Sequence, residues 1–306
     1  MTFGLVPFPA GHPADAHRST RVGGPEHEPV TIHAVCLDID DTLVDFTATA
    51  RRALSDMIGR DDMWLKWQRT TDEHVAKVVA GDLAYADMHE ARTKAFFADL
   101  GALLDDDLVA DLERRRCTQL RTTWRLFEDT LECLDWLRAA GLKLAAVTNA
   151  SGAHQRVKLE RLGISRFFDT VIIAGELGAA KPDPVIFHTA CARMKVSAAQ
   201  TMHVGDLLEA DAVGARNAGL HGVWLNRSHD DARPATGITM IETLTDLPEL
   251  LVTDYRTPAL AGAYSQHGDP ISGPQEVWSN ISSRHYGQRA EGDNGSQDPQ
   301  FRWGMV

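Results

Sequence analysis

The chain has 306 residues, 43% of them hydrophobic and 24% charged, with a formal net charge of −12. That length allows one large domain or two smaller ones, and the acidic balance argues against a nucleic-acid partner or an acidic membrane surface. It does not exclude an anionic substrate, because one metal ion and one lysine reverse the sign inside a cleft.

The four cysteines, Cys36, Cys117, Cys133 and Cys191, form no C-x-x-C pair, so neither a zinc site nor a disulfide framework is indicated. No apolar run reaches membrane-spanning length, and the expectation is a soluble cytoplasmic protein, monomer or homodimer. Residues 1–29 are rich in proline, lack apolar periodicity and read as a disordered leader. The following apolar run is short and continuous, the pattern of a buried strand, and ends at Asp38. It drives into Asp38-Ile39-Asp40-Asp41-Thr42. Alternate residues of an extended chain share a face, so Asp38 and Asp40 are candidates for one site. Two carboxylates that close need a cation or a shared proton, and oxygen-only ligands suit Mg²⁺. The competing reading makes Asp40 or Asp41 a helix cap.

Residues 46–122 contain no proline and carry apolar and charged residues at helical spacing. Four helices are expected: 46–58, one carrying Trp64 and Trp67, 85–100 stopped by Gly101, and 105–120. The last has acids at its start and Arg114, Arg115 and Arg116 later, as a helix dipole favours. Asp45 is expected to cap the first. Trp64, Lys66, Trp67, Arg69, His89 and Arg92 could face a cleft. The two tryptophans read as core, and Arg92 is the best candidate for a substrate contact.

Helix and strand patterns then alternate. A helix over 130–140, capped by Asp129 or Thr130, precedes a strand over 142–147 that runs into Thr148 and Asn149. A helix over 154–162 and a strand over 170–174 lead to Lys181-Pro182-Asp183-Pro184, where Asp183 caps the next helix and Pro184 suits its first position. A strand over 201–204 runs into Gly205-Asp206, a helix covers 211–218, and strands cover 222–225 and 238–241. The fold class expected is α/β: a doubly wound parallel sheet built from 30–45 and 123–252, with a smaller all-helical domain at 46–122. Residues 253–306 read as a disordered tail, although Trp278, Tyr286, Phe301 and Trp303 leave partial docking open.

Ligands of an open α/β sheet sit beyond the carboxyl ends of its strands. Four strand ends here carry polar residues in order: Asp38 with Asp40, Thr148 with Asn149, Lys181, and Asp206 with Asp211. Each alone has a plain structural reading: a helix cap for Thr148, a surface residue for Lys181, a turn for Gly205-Asp206. His203, inside an apolar strand, reads as a core histidine.

Together these segments resemble the haloacid dehalogenase superfamily of hydrolases. Asp38-Ile39-Asp40-Asp41-Thr42 is similar to its first motif, D-x-D-x-T. Thr148 resembles the second, Lys181 the third, and Gly205-Asp206 with Asp211 the fourth. The likeness covers about residues 31 to 250, and the helical stretch between the first two motifs resembles the family's cap. The resemblance implies roles. Asp38 is the nucleophile that forms an aspartyl-phosphate, and Asp40 is the acid and base. Mg²⁺ is held by Asp38, the backbone carbonyl of Asp40, and Asp206. Thr148, Asn149 and Lys181 bind the transferring phosphoryl group. Asp211 orients Lys181 or a metal water, and Thr42 braces the first loop. Asp41 is implied to be structural.

The function expected is therefore Mg²⁺-dependent hydrolysis of a small phosphorylated metabolite. A phosphomutase on the same core remains open. Dehalogenation is disfavoured because dehalogenases lack the second aspartate of the first motif, and a non-catalytic binding module because no ligand of the site is missing.

Overall fold

The computed structural model describes residues 30–259 except 151, 230–232 and 235. The expected leader and nearly all of the expected tail lie outside the described residues. The central strand, β1 (Ala34–Leu37), sends Val35 and Leu37 into one apolar cluster and Ala34 and Cys36 into another. All four are fully buried, so the strand lies between two layers of helix, as its unbroken apolar run requires. The other strands are β2 (Lys143–Thr148), β3 (Thr170–Ile173), β4 (Thr201–Gly205), β5 (His221–Leu225) and β6 (Thr239–Ile241). The six form one sheet in the order β3-β2-β1-β4-β5-β6, with every pairing parallel. Chain direction across the sheet reverses between β1 and β4, the switch point at which doubly wound sheets open a crevice.

One face of the sheet is covered by α5 (Thr130–Ala139), α10 (Asp246–Thr253) and Leu159 of α6 (Gly152–Arg161). The other is covered by α8 (Pro184–Met194) and α9 (Gly214–Asn217). Helix α8 shows why local sequence suffices there. The Asp183 carboxylate accepts from Val185 N at 2.9 Å, Pro184 takes the first turn, and Ile186, Phe187, Ala190, Cys191 and Met194 make one buried stripe.

Between β1 and α5 the chain forms α1 (Phe46–Ile58), α2 (Trp64–Ala80), α3 (Met88–Asp99) and α4 (Asp106–Thr123). These pack on one another, α1 on α4, α2 on α3 and α3 on α4, with apolar clusters of their own. Trp67 meets Phe96 edge-on at 5.0 Å between centroids and is buried, as its spacing suggested. The Asp45 carboxylate caps α1 by accepting from Ala48 N. Among the described residues no helix is long and apolar enough to cross a membrane.

Several elements differ from expectation. A single 3₁₀ turn (Tyr85–Asp87) precedes α3, so that helix starts later than its pattern suggested. The helix expected over 211–218 is a π-helical stretch, Leu208–Val213, continued by α9. Two helices, α7 (Ala174–Leu177) and α10, were not anticipated. Asp129 precedes α5 but does not cap it. Its carboxylate accepts from Arg227 at 2.8 and 2.9 Å and from Leu244 N at 2.9 Å, and charge-assisted bonds of this kind outcompete a cap. Thr130, the alternative cap, instead donates to the Leu43 carbonyl. Beyond α10 the chain stays attached: Ile32 N donates to Arg256 O at 2.8 Å, Arg256 N donates to Val30 O at 3.0 Å, and Thr257 is fully buried. Packing therefore continues past the boundary at 252 that the apolar pattern suggested.

Candidate active site

Asp38 follows β1 directly and Asp206 follows β4 directly, so the topology alone places both carboxylates at the switch point. Oxygens of Asp38, Asp206 and Asp211 lie within 4.8 Å of one another. Lys181 enters from beyond β3. Its ammonium sits 2.5 Å from Asp38 Oδ1, 2.6 Å from Asp211 Oδ1, and donates to the Val147 carbonyl at 3.1 Å. Thr148, the last residue of β2, is buried beside this group, and its hydroxyl oxygen accepts from Ala150 N at 3.2 Å. The four strand-end segments thus converge on one point.

The three acids are not equivalent. Asp211 has both oxygens occupied: Oδ1 by Lys181 and by His203 Nε2 at 2.9 Å, Oδ2 by Leu207 N at 3.0 Å. Burial alone would raise its pKa, but Lys181 and His203 outweigh that and hold it well below the usual carboxylate range. Burial likewise opposes the charge on Lys181, and Asp38 with Asp211 overcomes it, so the amine is held protonated well above its ordinary value. Asp38 and Asp206 behave oppositely. Burial, then unfavourable charge from neighbouring acids, pushes Asp206 to about 8. Burial, opposed by Lys181 and supported by Asp211 and Asp40, leaves Asp38 at about 7. Two carboxylates at this point resist ionising together, the signature of a place where a hard cation would relieve the repulsion. Asp38 and Asp206, not Asp211, have oxygen to offer it.

The backbone around these acids is shaped for close approach. A Cβ on Gly205 would fall 2.2 Å from Asp211 Cγ, so only glycine lets Asp211 reach back beneath β4. Trp224 Nε1 donates to Asp206 O at 2.9 Å and fixes the turn. On the first loop, Asp41 has φ 61°, a left-handed conformation that Asp tolerates, and its carboxylate accepts from both Thr47 N and Thr47 Oγ1 at 2.8 Å. It ties the loop to the start of α1. Thr42 is buried, with Oγ1 3.5 Å from Asp206 Oδ1, and its carbonyl accepts from Arg227 at 2.9 Å.

Two expected residues occupy other places. Asn149 uses both ends of its side-chain amide on Lys181: Nδ2 donates to Lys181 O at 2.9 Å and Oδ1 accepts from Lys181 N at 2.7 Å. It holds the lysine's backbone, next to the cis Lys181-Pro182 bond, rather than offering its side chain to a ligand. Arg92 does not open onto a cleft. It is buried among α2, α3 and α4, 4.2 Å over the Trp67 ring and paired with Glu113 at 3.1 Å. An arginine at helical spacing looks the same in sequence whether it faces solvent or a buried glutamate.

Sequence reading missed Gln155 and Lys158 of α6. Lys158 Nζ lies 2.5 Å from Asp40 Oδ1, and Gln155 Nε2 donates to Asp40 Oδ2 at 2.7 Å. Their spacing of three puts them on one helix face, but nothing in the sequence says that this face turns toward Asp40.

Comparison with known proteins identifies the family. A family model described as haloacid dehalogenase-like hydrolase fits residues 32–219. The glyceraldehyde 3-phosphate phosphatase of Methanopyrus kandleri is 30% identical over 223 residues, 72% of this chain and 96% of that protein. The N-acylneuraminate-9-phosphatase of Homo sapiens is 27% identical over 236 residues, 72% of this chain and 94% of that protein. Among solved structures, the HAD-hydrolase YfnB of Bacillus subtilis superposes with a TM-score of 0.62 at 24% identity, over 72% of this chain and 99% of that one, a likeness of fold.

Proposed function

The chain belongs to the haloacid dehalogenase-like hydrolases, and from that premise we propose that it hydrolyses a small phosphomonoester through an aspartyl-phosphate on Asp38. The observation that carries this reading is the meeting of Asp38, Asp206 and a buried Lys181 at one switch point. The relatives named above are phosphatases of small phosphorylated metabolites, which supports the same class of substrate.

Mg²⁺ fits the donor set, with Asp38, Asp206 and the Asp40 carbonyl as its protein ligands; when bound, it neutralises charge on the phosphoryl oxygens and on the attacking carboxylate. The chain's own residues supply the rest. Lys181 neutralises charge beside Asp38, and Thr148 offers its hydroxyl to a phosphoryl oxygen. A carboxylate oxygen of Asp38 forms a bond to phosphorus as the phosphorus–alcohol bond breaks, and Asp40 gives its proton to the departing oxygen. In the second half a water oxygen attacks phosphorus, its proton passes to Asp40, and the phosphorus–Asp38 bond breaks. Free phosphate leaves and both aspartates return to their starting states. Leaving oxygen and attacking water occupy the same side, so one group serves both steps. Asn149 and Asp211 act by holding Lys181.

The four helices α1–α4 serve as a cap over the strand ends, and residues on their sheet-facing side select the leaving group. The test is turnover of p-nitrophenyl phosphate by the purified chain with Mg²⁺. We expect it to vanish on chelation and in Asp38→Asn; turnover by that variant in the presence of chelator would falsify the proposal.

A further inference from the structure

We propose that Lys158 and Gln155 are positioning residues for the acid–base carboxylate, fixing the plane in which Asp40 presents its oxygens. The inference rests on the role given to Asp40 above.

The geometry is specific. Each oxygen of Asp40 accepts from a different residue, Lys158 at 2.5 Å and Gln155 at 2.7 Å. Two donors on two oxygens fix rotation about the terminal carboxylate bond, which is otherwise broad. With one donor on each oxygen, a second lone pair on each stays free to carry the proton that Asp40 gives to the leaving oxygen and takes back from water. The Asp40 side chain is 24% exposed while that of Lys158 is 4% exposed, so the open side belongs to the aspartate and not to the lysine.

Lys158 is itself immobilised. Its ammonium lies 4.9 Å from the Phe46 ring centroid and 5.4 Å from that of Trp124, within cation–π range of both. Phe46 is the first residue of α1 and Trp124 follows the last residue of α4. The lysine therefore rests against the two points where the chain enters and leaves the helical insert. An ammonium desolvated in this way needs a carboxylate partner, and the one it has is Asp40. Gln155 is equally buried and adds the second, neutral donor.

A positioning role makes a prediction that a merely structural role does not. A good leaving group such as p-nitrophenolate departs without a proton, whereas an alkoxide does not. Misplacing Asp40 therefore slows an alkyl phosphate at the first half-reaction and an aryl phosphate only at the second. We expect Lys158→Met, in the full chain with Mg²⁺, to lower kcat on glycerol phosphate by ~10- to 100-fold, with KM near the wild-type value. On p-nitrophenyl phosphate the same variant should show a burst of one nitrophenol per chain, then slow turnover, with phosphoenzyme accumulating. Lys158→Arg, whose guanidinium still reaches a carboxylate, should recover part of the rate. Gln155→Met should show the same pattern more weakly, and it decides the matter if Lys158→Met does not fold. Equal loss on both substrates without a burst, or no loss, would overturn the inference. A wild-type chain that forms no phosphoenzyme, or full rate in Asp40→Asn, would instead overturn the reading of Asp40 on which it rests.

Discussion

Lys181 and Asp211 form an ion pair at 2.6 Å with the lysine side chain 2% exposed and the aspartate fully buried. The pair joins the loop after β3 to the segment after β4, two parts of the chain that share no sheet pairing. Loss of the Asp211 charge leaves the buried Lys181 to Asp38 and weakens the bonds from His203 and Leu207 N, at about 1–3 kcal/mol. Asp211→Asn is therefore expected to lower the denaturation midpoint clearly. Its effect on the proposed turnover should be a loss of roughly 10- to 100-fold, through disorientation of Lys181. Chemical denaturation and steady-state kinetics of the same preparation check both halves.

The acid pair beside that lysine makes the stability depend on pH. Asp38 and Asp206 have folded-state pKa values of about 7 and about 8, above an ordinary value of 3.8. Between 3.8 and these values the folded chain binds more protons than the unfolded one, so this contribution to stability falls as pH rises through that window. Asp211, held low, contributes in the other direction: its share is present above 3.8 and is lost as pH falls below it. In chelator the thermal midpoint should therefore decline from about pH 6.5 to pH 8 on account of the raised pair; below about 6.5 His89 and His203, held low by burial, act in the other direction. A divalent cation at the proposed site would bind the ionised pair, so added Mg²⁺ should raise the midpoint more at pH 8 than at pH 5. Melting curves at four pH values, with and without Mg²⁺, measure this. An equal Mg²⁺ shift at both ends of the range would contradict it.

Gly222 tests the packing beneath the fourth motif. A Cβ there would lie 2.1 Å from the Ala212 carbonyl oxygen, a backbone atom of the π-helical stretch that carries Asp211. The added methyl must push that backbone away. Gly222→Ala is expected to destabilise the protein by about 1–3 kcal/mol and to weaken the proposed activity by moving Asp211. A stability unchanged in urea titration would show that the segment yields freely.

Glu113 tests the interior of the helical insert. It accepts from Arg92, Arg116 and Thr93, and all four residues are buried. Burial alone would raise its pKa, but Arg116 and Arg92 bring it below the ordinary value. Glu113→Leu strands two guanidiniums and should destabilise the chain by about 3–5 kcal/mol. Replacing Arg92, Glu113 and Arg116 together by apolar residues should cost much less, because no charge is left unpaired. Thermal melts of the single and triple variants separate the two outcomes.

Much of this protein is determined by local patterning. An unbroken apolar run fixed β1 as a doubly covered strand, Asp183-Pro184 fixed the start of α8, and the insert's helices followed from apolar spacing without proline. The strand-end residues Asp38, Thr148, Lys181 and Asp206 were legible for a related reason: in alternating α/β chains, strand ends collect at one edge whatever the loops do. Tertiary structure alone decided which partners those residues keep. Asp211 is saturated by Lys181, His203 and Leu207 while Asp206 keeps oxygen free, and Asn149 spends its amide on a backbone 32 residues away. Arg92, Lys158 and Gln155 were misread or missed for the same cause. Whether a polar residue on a helix meets water, a buried acid or a reacting carboxylate depends on how helices lie against one another, and contacts between segments far apart in sequence leave no periodic trace within either segment.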